Sequence, residues 1–491
     1  MTPRPVVLVA ALALLSAAPS ARGDAGAEAK AKRIDALVES YRRVGQFNGS
    51  VLVAEKGAVV FKKAYGLAQM EWGIPNTPDT RFRLGSITKQ FTATLVLRQV
   101  EQGRIRLDGT LSEYLPDYRK DTGAKVKVHH LLTHTSGIPS YTDRPSFFPE
   151  VSRDPYPVDE FVKKFCSGDL EFEPGSKFHY DNSGYFLLGA VLEKVTGKTY
   201  EQLLREEILD PLGMKDTGYD RGETILPRRA AAYEKDLGGY RNAAYLDMSL
   251  PYAAGALYST VEDLYRWDQA LYGTAVLSEA SKEKMFTPFL EGYAYGWNVR
   301  TIPAGEPEAG KKEIGHGGGI NGFNTLIRRV PEDRGLIVLL NNTGGTALAA
   351  IARGILEVLA GGEPAPPKQG IADVIAPVLL ERGAAAAVDR YRTLKTTRGA
   401  DFGFEEFRLN TMGYQLLGRN RTADAIAIFQ LNVEQYPSSG NVYDSLGEAY
   451  LKAGQKDLAL ASYRKSLELS PDNQNARDVL KSLEAPTPDA P

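Results

Sequence analysis

The chain has 491 residues, of which 43% are apolar and 24% charged, enough for two or three domains with sizeable cores. Its net charge of -2 offers no electrostatic attraction for DNA, RNA or an anionic membrane surface, so nucleic acid is set aside as a partner. The single cysteine, Cys166, excludes an internal disulfide and reads as a buried, inert thiol.

The opening stretch, "MTPRPVVLVAALALLSAAPSARGDAGA", places Arg4 before an apolar run from Val6 to Ala18, followed by small residues. This is the pattern of a cleaved secretory signal, assigned to residues 1–23, and the mature protein is expected to be exported, periplasmic or secreted. The run is too short for a stable membrane span. The helical spacing of Ile34, Leu37, Val38 and Tyr41 predicts an amphipathic helix. "GSVLVAEKGAVVFKKAYGLA" reads as a hairpin turning at Lys56-Gly57. From Ser86 to about Gln102 the apolar residues fall nearly all round, as in a helix buried inside a domain. Further helices are expected over about 126–134, 158–166, 183–197 and 199–210. Strands return in "YAYGWNVRT", "GFNTLIRRVPE" and "RGLIVLLNN", the last a near-continuous apolar run typical of a central strand, and a helix closes the region over about 346–360. The fold class is therefore α+β: an antiparallel sheet built from both ends of the domain and flanked by helices, with an inserted all-α region.

"GGEPAPPKQG" marks a domain boundary near residue 362. Beyond it, Gly413, Ala425, Phe429 and Pro437 recur 34 residues later as Gly447, Ala459, Tyr463 and Pro471. Period and pattern resemble tetratricopeptide repeats, two helices per repeat, which implies a protein partner. The expected layout is a first domain over 24–362, a linker with a degenerate helical pair over 363–404, repeats over 405–485 and a disordered tail over 486–491. On this layout, removing residues after about 365 should leave the chemistry of the first domain largely intact.

Ser-x-x-Lys occurs three times, at Ser86/Lys89, Ser281/Lys284 and Ser462/Lys465. The second lies in polar surface text and the third on a repeat helix. Only the first opens a buried helix, where i and i+3 share a face and Lys89 is brought beside the Ser86 hydroxyl. Burial makes a charged lysine costly, and that is how a lysine becomes a base; bringing its pKa to near 7 costs about 4 kcal/mol. A helix-capping serine with a snorkelling lysine fits this stretch equally well. Tyr180-Asp181-Asn182 supplies a phenol for proton transfer and a carboxamide that can bind a lysine and a substrate amide, although Tyr240/Asn242 repeats the spacing. His316 precedes Gly317, Gly318 and Gly319 at the start of an expected strand. Glycines let a backbone approach a substrate, and His316 would add a polar or cationic group. His130 and His134 stand four apart, a zinc-like spacing, but no glutamate lies between them; no metal is assigned. His179 reads as structural. The absence of a Gly-x-Ser-x-Gly elbow argues against an α/β-hydrolase.

Ser86-Ile87-Thr88-Lys89, Tyr180-Asp181-Asn182 and His316-Gly317-Gly318, in that order, resemble the three motifs of the serine β-lactamase and penicillin-binding-protein-like hydrolases. "LLTHTSGI", "PLGMKDT" and "AAGALYSTVEDLYRW" resemble segments of the same family, over about residues 35–360. The resemblance implies a β-lactamase/transpeptidase-like fold and a serine hydrolase acting on amides, peptides or esters without a cofactor, and the leader pattern makes it an exported one. By it, Ser86 is the acylated nucleophile, Lys89 its base and Tyr180 a partner in proton transfer. Asn182, His316, Gly317 and Gly318 would bind substrate, and the N–H groups of Ser86 and Gly319 would form the oxyanion hole. Many β-lactamases carry Lys-Thr-Gly where this chain has His316-Gly317-Gly318, which weakens the expected grip on a substrate carboxylate. The alternative is a slow acyl acceptor, a ligand-sensing receptor whose repeats recruit a partner. Specificity is expected in the loops over 140–156 and 220–250, which carry no readable motif.

Overall fold

The computed structural model describes residues 21–346 and 348–484. The signal-peptide and tail readings therefore fall almost entirely outside the described residues. The first region is a six-stranded antiparallel sheet with helices on both faces. In chain order its framework is α1 (Ala21–Arg43), β1 (Gly49–Glu55), β2 (Ala58–Tyr65), α2 (Thr88–Glu101) and α3 (Asn182–Thr196). These are followed by β3 (Tyr233–Asp236), β4 (Gly239–Asn242), β5 (Asn298–Thr301), β6 (Lys312–Ile320) and β7 (Phe323–Val330). The region ends with β8 (Gly335–Asn341), β9 (Thr343–Gly344) and α4 (Leu348–Leu359). The main sheet runs β5-β6-β7-β8-β1-β2, so strands from the two ends of the region meet at β8 and β1.

That meeting accounts for the continuous apolar run of β8. Ile337 and Leu339 pack with α1 and α4 against Ile34, Val38, Ile351 and Ile355. Val338 and Leu340 point the other way, into the larger core around Phe91 and Trp267. β1 divides in the same manner, Val51 and Val53 on one face and Leu52 and Ala54 on the other, as the two-residue side-chain period requires. The β1–β2 turn places Lys56 at φ 53° and Gly57 at φ 78°, the pair of positive angles that a two-residue hairpin turn demands.

Several expected helices are shorter than the sequence suggests. The buried helix begins at Thr88; Gly85–Ile87 forms a separate tight 3-10 turn before it. The segment expected over 126–134 is helical only over Val128–Leu132, because His134 takes a left-handed φ of 56° that ends the helix and turns its ring inward. The helix expected over 199–210 is regular over Tyr200–Leu204, passes through a wider turn over Arg205–Leu209, and closes at Gly213 in the left-handed conformation.

The second region is all helical: α5 (Ile371–Arg382), α6 (Ala384–Arg398), α7 (Glu406–Gly418), α8 (Thr422–Gln435), α9 (Gly440–Lys452), α10 (Lys456–Leu469) and α11 (Gln474–Glu484). The stretch expected to hold a linker and a degenerate helical pair contains α5 and α6, and their Ile375, Leu379, Tyr391 and Leu394 join the repeats' own core. A lone pair of repeats leaves an apolar face open, and this extra pair covers it. At Gly413 a methyl group would lie 2.4 Å from the Phe429 ring, so the small residue of each repeat makes room for the aromatic of its partner helix. No helix among the described residues is long and apolar enough to cross a membrane.

Candidate active site

Ser86 sits in the tight turn between Gly85 and α2. Gly85 holds φ 56°, and a methyl group there would lie 2.9 Å from Gly319 O. On the facing strand β6, a methyl group at Gly318 would lie 1.9 Å from Leu84 O. Two glycines thus let the Ser86 turn and β6 approach more closely than side chains allow. The approach brings the backbones of Ser86 and Gly319 to one cavity, which both residues line. The Ser86 N–H stands at a helix start, where amides have no partner within the helix.

Lys89, fully buried, places Nζ 3.1 Å from Ser86 Oγ, 2.8 Å from Asn182 Oδ1 and 3.0 Å from Ala254 O. Burial pulls its pKa down from 10.5 to about 7, a fall that the Asp181 carboxylate partly opposes. A neutral amine has two N–H donors and one lone pair. Asn182 Oδ1 and Ala254 O have only lone pairs to offer and take the two hydrogens, leaving the amine lone pair for the Ser86 hydroxyl proton. The set can therefore deprotonate Ser86 near neutral pH.

Asn182 opens α3 and is locked from three sides. Its Nδ2 donates to Thr142 Oγ1 at 3.1 Å, its N–H to Ser140 Oγ at 3.1 Å, and Asp181 caps the helix through Gly184 N–H. Asp181 N–H in turn donates to His134 Nδ1 at 3.1 Å. The His134 ring lies against Tyr180, centroids 4.2 Å apart. Burial pushes the Tyr180 phenol well above its usual range, an effect that Ser86 counters only in part, and the phenol oxygen is buried with no hydrogen-bond partner among the described residues. Tyr180 is a neutral proton donor, and Lys89 Nζ lies 4.9 Å from its ring centre.

Of the polar or cationic group expected at His316, the structure shows the polar, uncharged form. The residue lies within β6 rather than at its start, 5% exposed, and the ring is used up: Nδ1–H donates to Gly317 O at 2.6 Å and Nε2 accepts from the Tyr293 hydroxyl at 2.9 Å. Burial and the neighbouring Lys89 bring its pKa down to about 3, so it stays neutral. His316, Gly317 and Gly318 do not line the cavity; Gly319 does. Strand alternation is the reason, since His316 and Gly318 face inward and Gly317 and Gly319 outward. His316 and Gly318 set the position of β6 without reaching the ligand space.

The cavity, of about 100 Å³, has an apolar wall of Tyr141, Phe147, Phe148, Leu246, Leu250 and Ile320, with Thr142, Asn182 and Asn321 as polar points. Among the described residues, no lysine, arginine or histidine lines it. Thr142, Tyr141 and Phe147 come from the 140–156 loop, and Leu246 and Leu250 from the other loop region expected to carry specificity or its border. Thr142 and the Ala254 carbonyl were not legible as site groups: one hydroxyl in a loop has no signature, and a carbonyl carries no side-chain identity.

The remaining candidates lie elsewhere. Ser281/Lys284 sits on a separate helix, Glu279–Met285, and Ser462/Lys465 on α10. Tyr240 and Asn242 belong to β4. His130 Nδ1 accepts from Lys127 N–H at 3.2 Å, and His179 Nδ1 lies 2.8 Å from Glu171 Oε2. Cys166 is buried with its thiol pKa pushed up.

The geometry agrees with what the chain is similar to. Residues 31–360 match the Beta-lactamase family and residues 440–473 match Tetratricopeptide repeat. Penicillin-binding protein 4* of Bacillus subtilis (strain 168) is 31% identical over 340 residues, 64% of this chain and 72% of that protein. Esterase EstB of Burkholderia gladioli is 35% identical over 206 residues, 39% of this chain and 52% of the esterase. The solved D-amino acid amidase of Ochrobactrum anthropi SV3 superposes with a TM-score of 0.59 at 25% identity, covering 68% of this chain and 99% of the amidase. The chain belongs to the beta-lactamase family of serine hydrolases and carries a tetratricopeptide region behind its catalytic domain.

Proposed function

We propose that the protein is an exported hydrolase of uncharged esters and amides, acting through an acyl-enzyme at Ser86. The observation that carries this is the seat of Lys89, fully buried with Nζ 3.1 Å from Ser86 Oγ and held there by Asn182 Oδ1 and the Ala254 carbonyl. Ser86 Oγ attacks the substrate carbonyl carbon while its proton passes to Lys89 Nζ. The N–H groups of Ser86 and Gly319 hold the oxyanion, each contributing about 2.7–4 kcal/mol in the transition state. The tetrahedral intermediate collapses by breaking the bond to the alcohol or amine. Tyr180, neutral and beside Ser86, carries the proton to that leaving group. Water then attacks the acyl-serine ester, giving its proton back through the same groups and releasing the acid. Replacing Tyr180 with phenylalanine is expected to lower kcat by about 10²–10⁴-fold with little change in KM, measured with an alkyl ester or an amide, whose leaving group needs the proton.

The substrate class follows from the cavity lining. Without a cation in the wall, a carboxylate entering the cavity loses hydration and gains no partner. The narrow apolar space suits a short hydrocarbon acyl group. Nitrophenyl butyrate is expected to exceed nitrocefin and D-alanyl-D-alanine in kcat/KM by at least about 100-fold, the ratio set by a few kcal/mol of uncompensated carboxylate desolvation. Faster turnover of either carboxylate substrate would overturn this assignment. Labelling of Ser86 with no turnover of any of the three would favour the receptor reading instead.

Export rests on the leader pattern of residues 1–23. Amino-terminal sequencing of the protein from the extracytoplasmic fraction tests it: a start near residue 24 supports export, and an intact start in the cytoplasm contradicts it.

A further inference from the structure

One apolar residue of the catalytic region belongs to the core of the repeats. Leu237, at the tip of the β3–β4 hairpin, is 7% exposed and packs in the cluster of Ile375, Leu379, Met412 and Leu416. The next residue, Gly238, has φ 75°, and a methyl group there would lie 3.1 Å from Leu380 on α5. Polar contacts ring the seated leucine. Lys235 Nζ lies 2.7 Å from Asp373 Oδ2 on α5. From α7, Gln415 Nε2 donates to Lys235 O at 2.9 Å, and Arg419, just past its end, pairs with Asp236. The hairpin tip is thus held between α5 and α7, the first helix of the extra pair and the first of the repeats.

The other end of the same segment forms part of the catalytic cavity. Just past β4, Ala244 O accepts from Asn321 Nδ2 at 2.8 Å, and both Asn321 and Leu246 line the cavity. The hairpin's base is fastened where β3 pairs with β9, the short strand that follows β8, with Tyr233 opposite Thr343 in a small sheet of three strands. It is also fastened where Gly322, in the turn after β6, lies against Ala232 and Tyr233 so closely that a methyl group there would be 2.6 Å from Ala232 Cβ. A single strand, β4, and a short run after it join the leucine seated in the repeats to the leucine in the cavity wall.

We propose that the helical region is a positioning element of the catalytic site: by holding Leu237 it fixes the 243–246 wall and the Asn321 side chain that depends on it. This rests on the proposed use of that cavity for the acyl group. It also bears on the expectation that removing the residues after about 365 leaves the chemistry of the first domain largely intact, since that truncation would expose Leu237 and free the tip. Leu237, Asp236 and Arg419 touch no reacting atom; they act through the wall, so their loss should weaken substrate binding and spare the chemical step.

The full-length protein is compared with Leu237→Asp, Asp236→Arg, Arg419→Asp and the exchanged pair Asp236→Arg/Arg419→Asp. Amide hydrogen exchange over 232–246 is read alongside nitrophenyl butyrate kinetics. Expected are faster exchange in the hairpin, KM raised about tenfold in Leu237→Asp with kcat within about twofold, and partial return of both readouts in the exchanged pair. Faster exchange with unchanged KM would overturn the proposal, because the hairpin would be loose and the wall indifferent to it. Unchanged exchange in every variant would overturn it too, since the tip would not be held by these contacts. A fall in kcat that tracks a loss of folded protein, with no return in the exchanged pair, would reduce the contact to a stabilising one and also count against it. Exchange does not depend on turnover, and Ser86→Ala serves as the control for the chemistry. Failure of the acyl-enzyme reading would therefore appear as ester turnover that survives Ser86→Ala, separately from any of these outcomes.

Discussion

Replacing Lys89 with methionine is expected to cost about as much turnover as replacing Ser86 with alanine, about 10⁴–10⁶-fold, and the double variant should cost no more than either alone. Serine and lysine act as one unit, so removing either removes the whole deprotonation step. The acid limb of kcat/KM in the parent protein should have a midpoint close to the Lys89 pKa of about 7. His316, brought down to about 3, and Tyr180, pushed far above its usual range, both remain neutral around that midpoint and add no second step. The same lysine has a stability signature. Its folded pKa is about 7 against 10.5 for the free group, so between those values the unfolded chain binds a proton that the folded chain does not. Stability contributed at this position therefore rises with pH across that window, and below it the full burial cost, on the order of 5 kcal/mol, is present. Urea unfolding should show the parent gaining on Lys89→Met as pH is raised from 7 to 10. A flat difference would mean that Lys89 is not titrating as a buried amine.

The second large effect is expected at a residue with no side chain. Gly318→Ala would put a methyl group 1.9 Å from Leu84 O and 2.3 Å from Thr325 Oγ1, which now donates to that same carbonyl at 2.7 Å. Strand β6 would have to move away from the Ser86 turn, taking the Gly319 N–H with it. Losing one aligned oxyanion donor costs about 10²–10³-fold in kcat, and the packing clash should lower thermal stability as well. Gly317→Ala is the control: nothing lies nearer than 3.8 Å to a methyl group there, so its kcat should stay within about threefold of the parent. Equal losses in the two variants would point to a general effect of stiffening the strand rather than to the close approach.

The sheet was legible wherever burial on one or both faces left a periodic mark. Val51 to Ala54 and Ile337 to Leu340 declare a central strand pair because every position is apolar, and only a strand covered on both sides needs that. The Ser86/Lys89 pair was legible only in company: its own stretch fits a capping serine and a snorkelling lysine equally well, and Tyr180-Asp181-Asn182 and His316-Gly317-Gly318 following in order are what single it out. Backbone events were hidden. The tight turn at Gly85–Ile87, the left-handed His134 and the Ala254 carbonyl depend on approaches between segments far apart in the chain. His316 shows a different limit: its residue type permits a charge, and only its seat between Tyr293 and Gly317 O, beside Lys89, decides that it has none. Leu237 was equally silent, one leucine before a glycine in a loop, because its partners lie far along the chain in α5 and α7.

Ser86 as nucleophile, with Lys89 as its base, is the proposal on which the other predictions depend. Incubating the protein with a fluorophosphonate and mapping the adduct by peptide mass spectrometry tests it most directly. A single adduct is expected, on the peptide containing Ser86, formed at a rate that falls below pH 7 and absent in Ser86→Ala. An adduct on any other serine, or one that persists in Ser86→Ala, would contradict it.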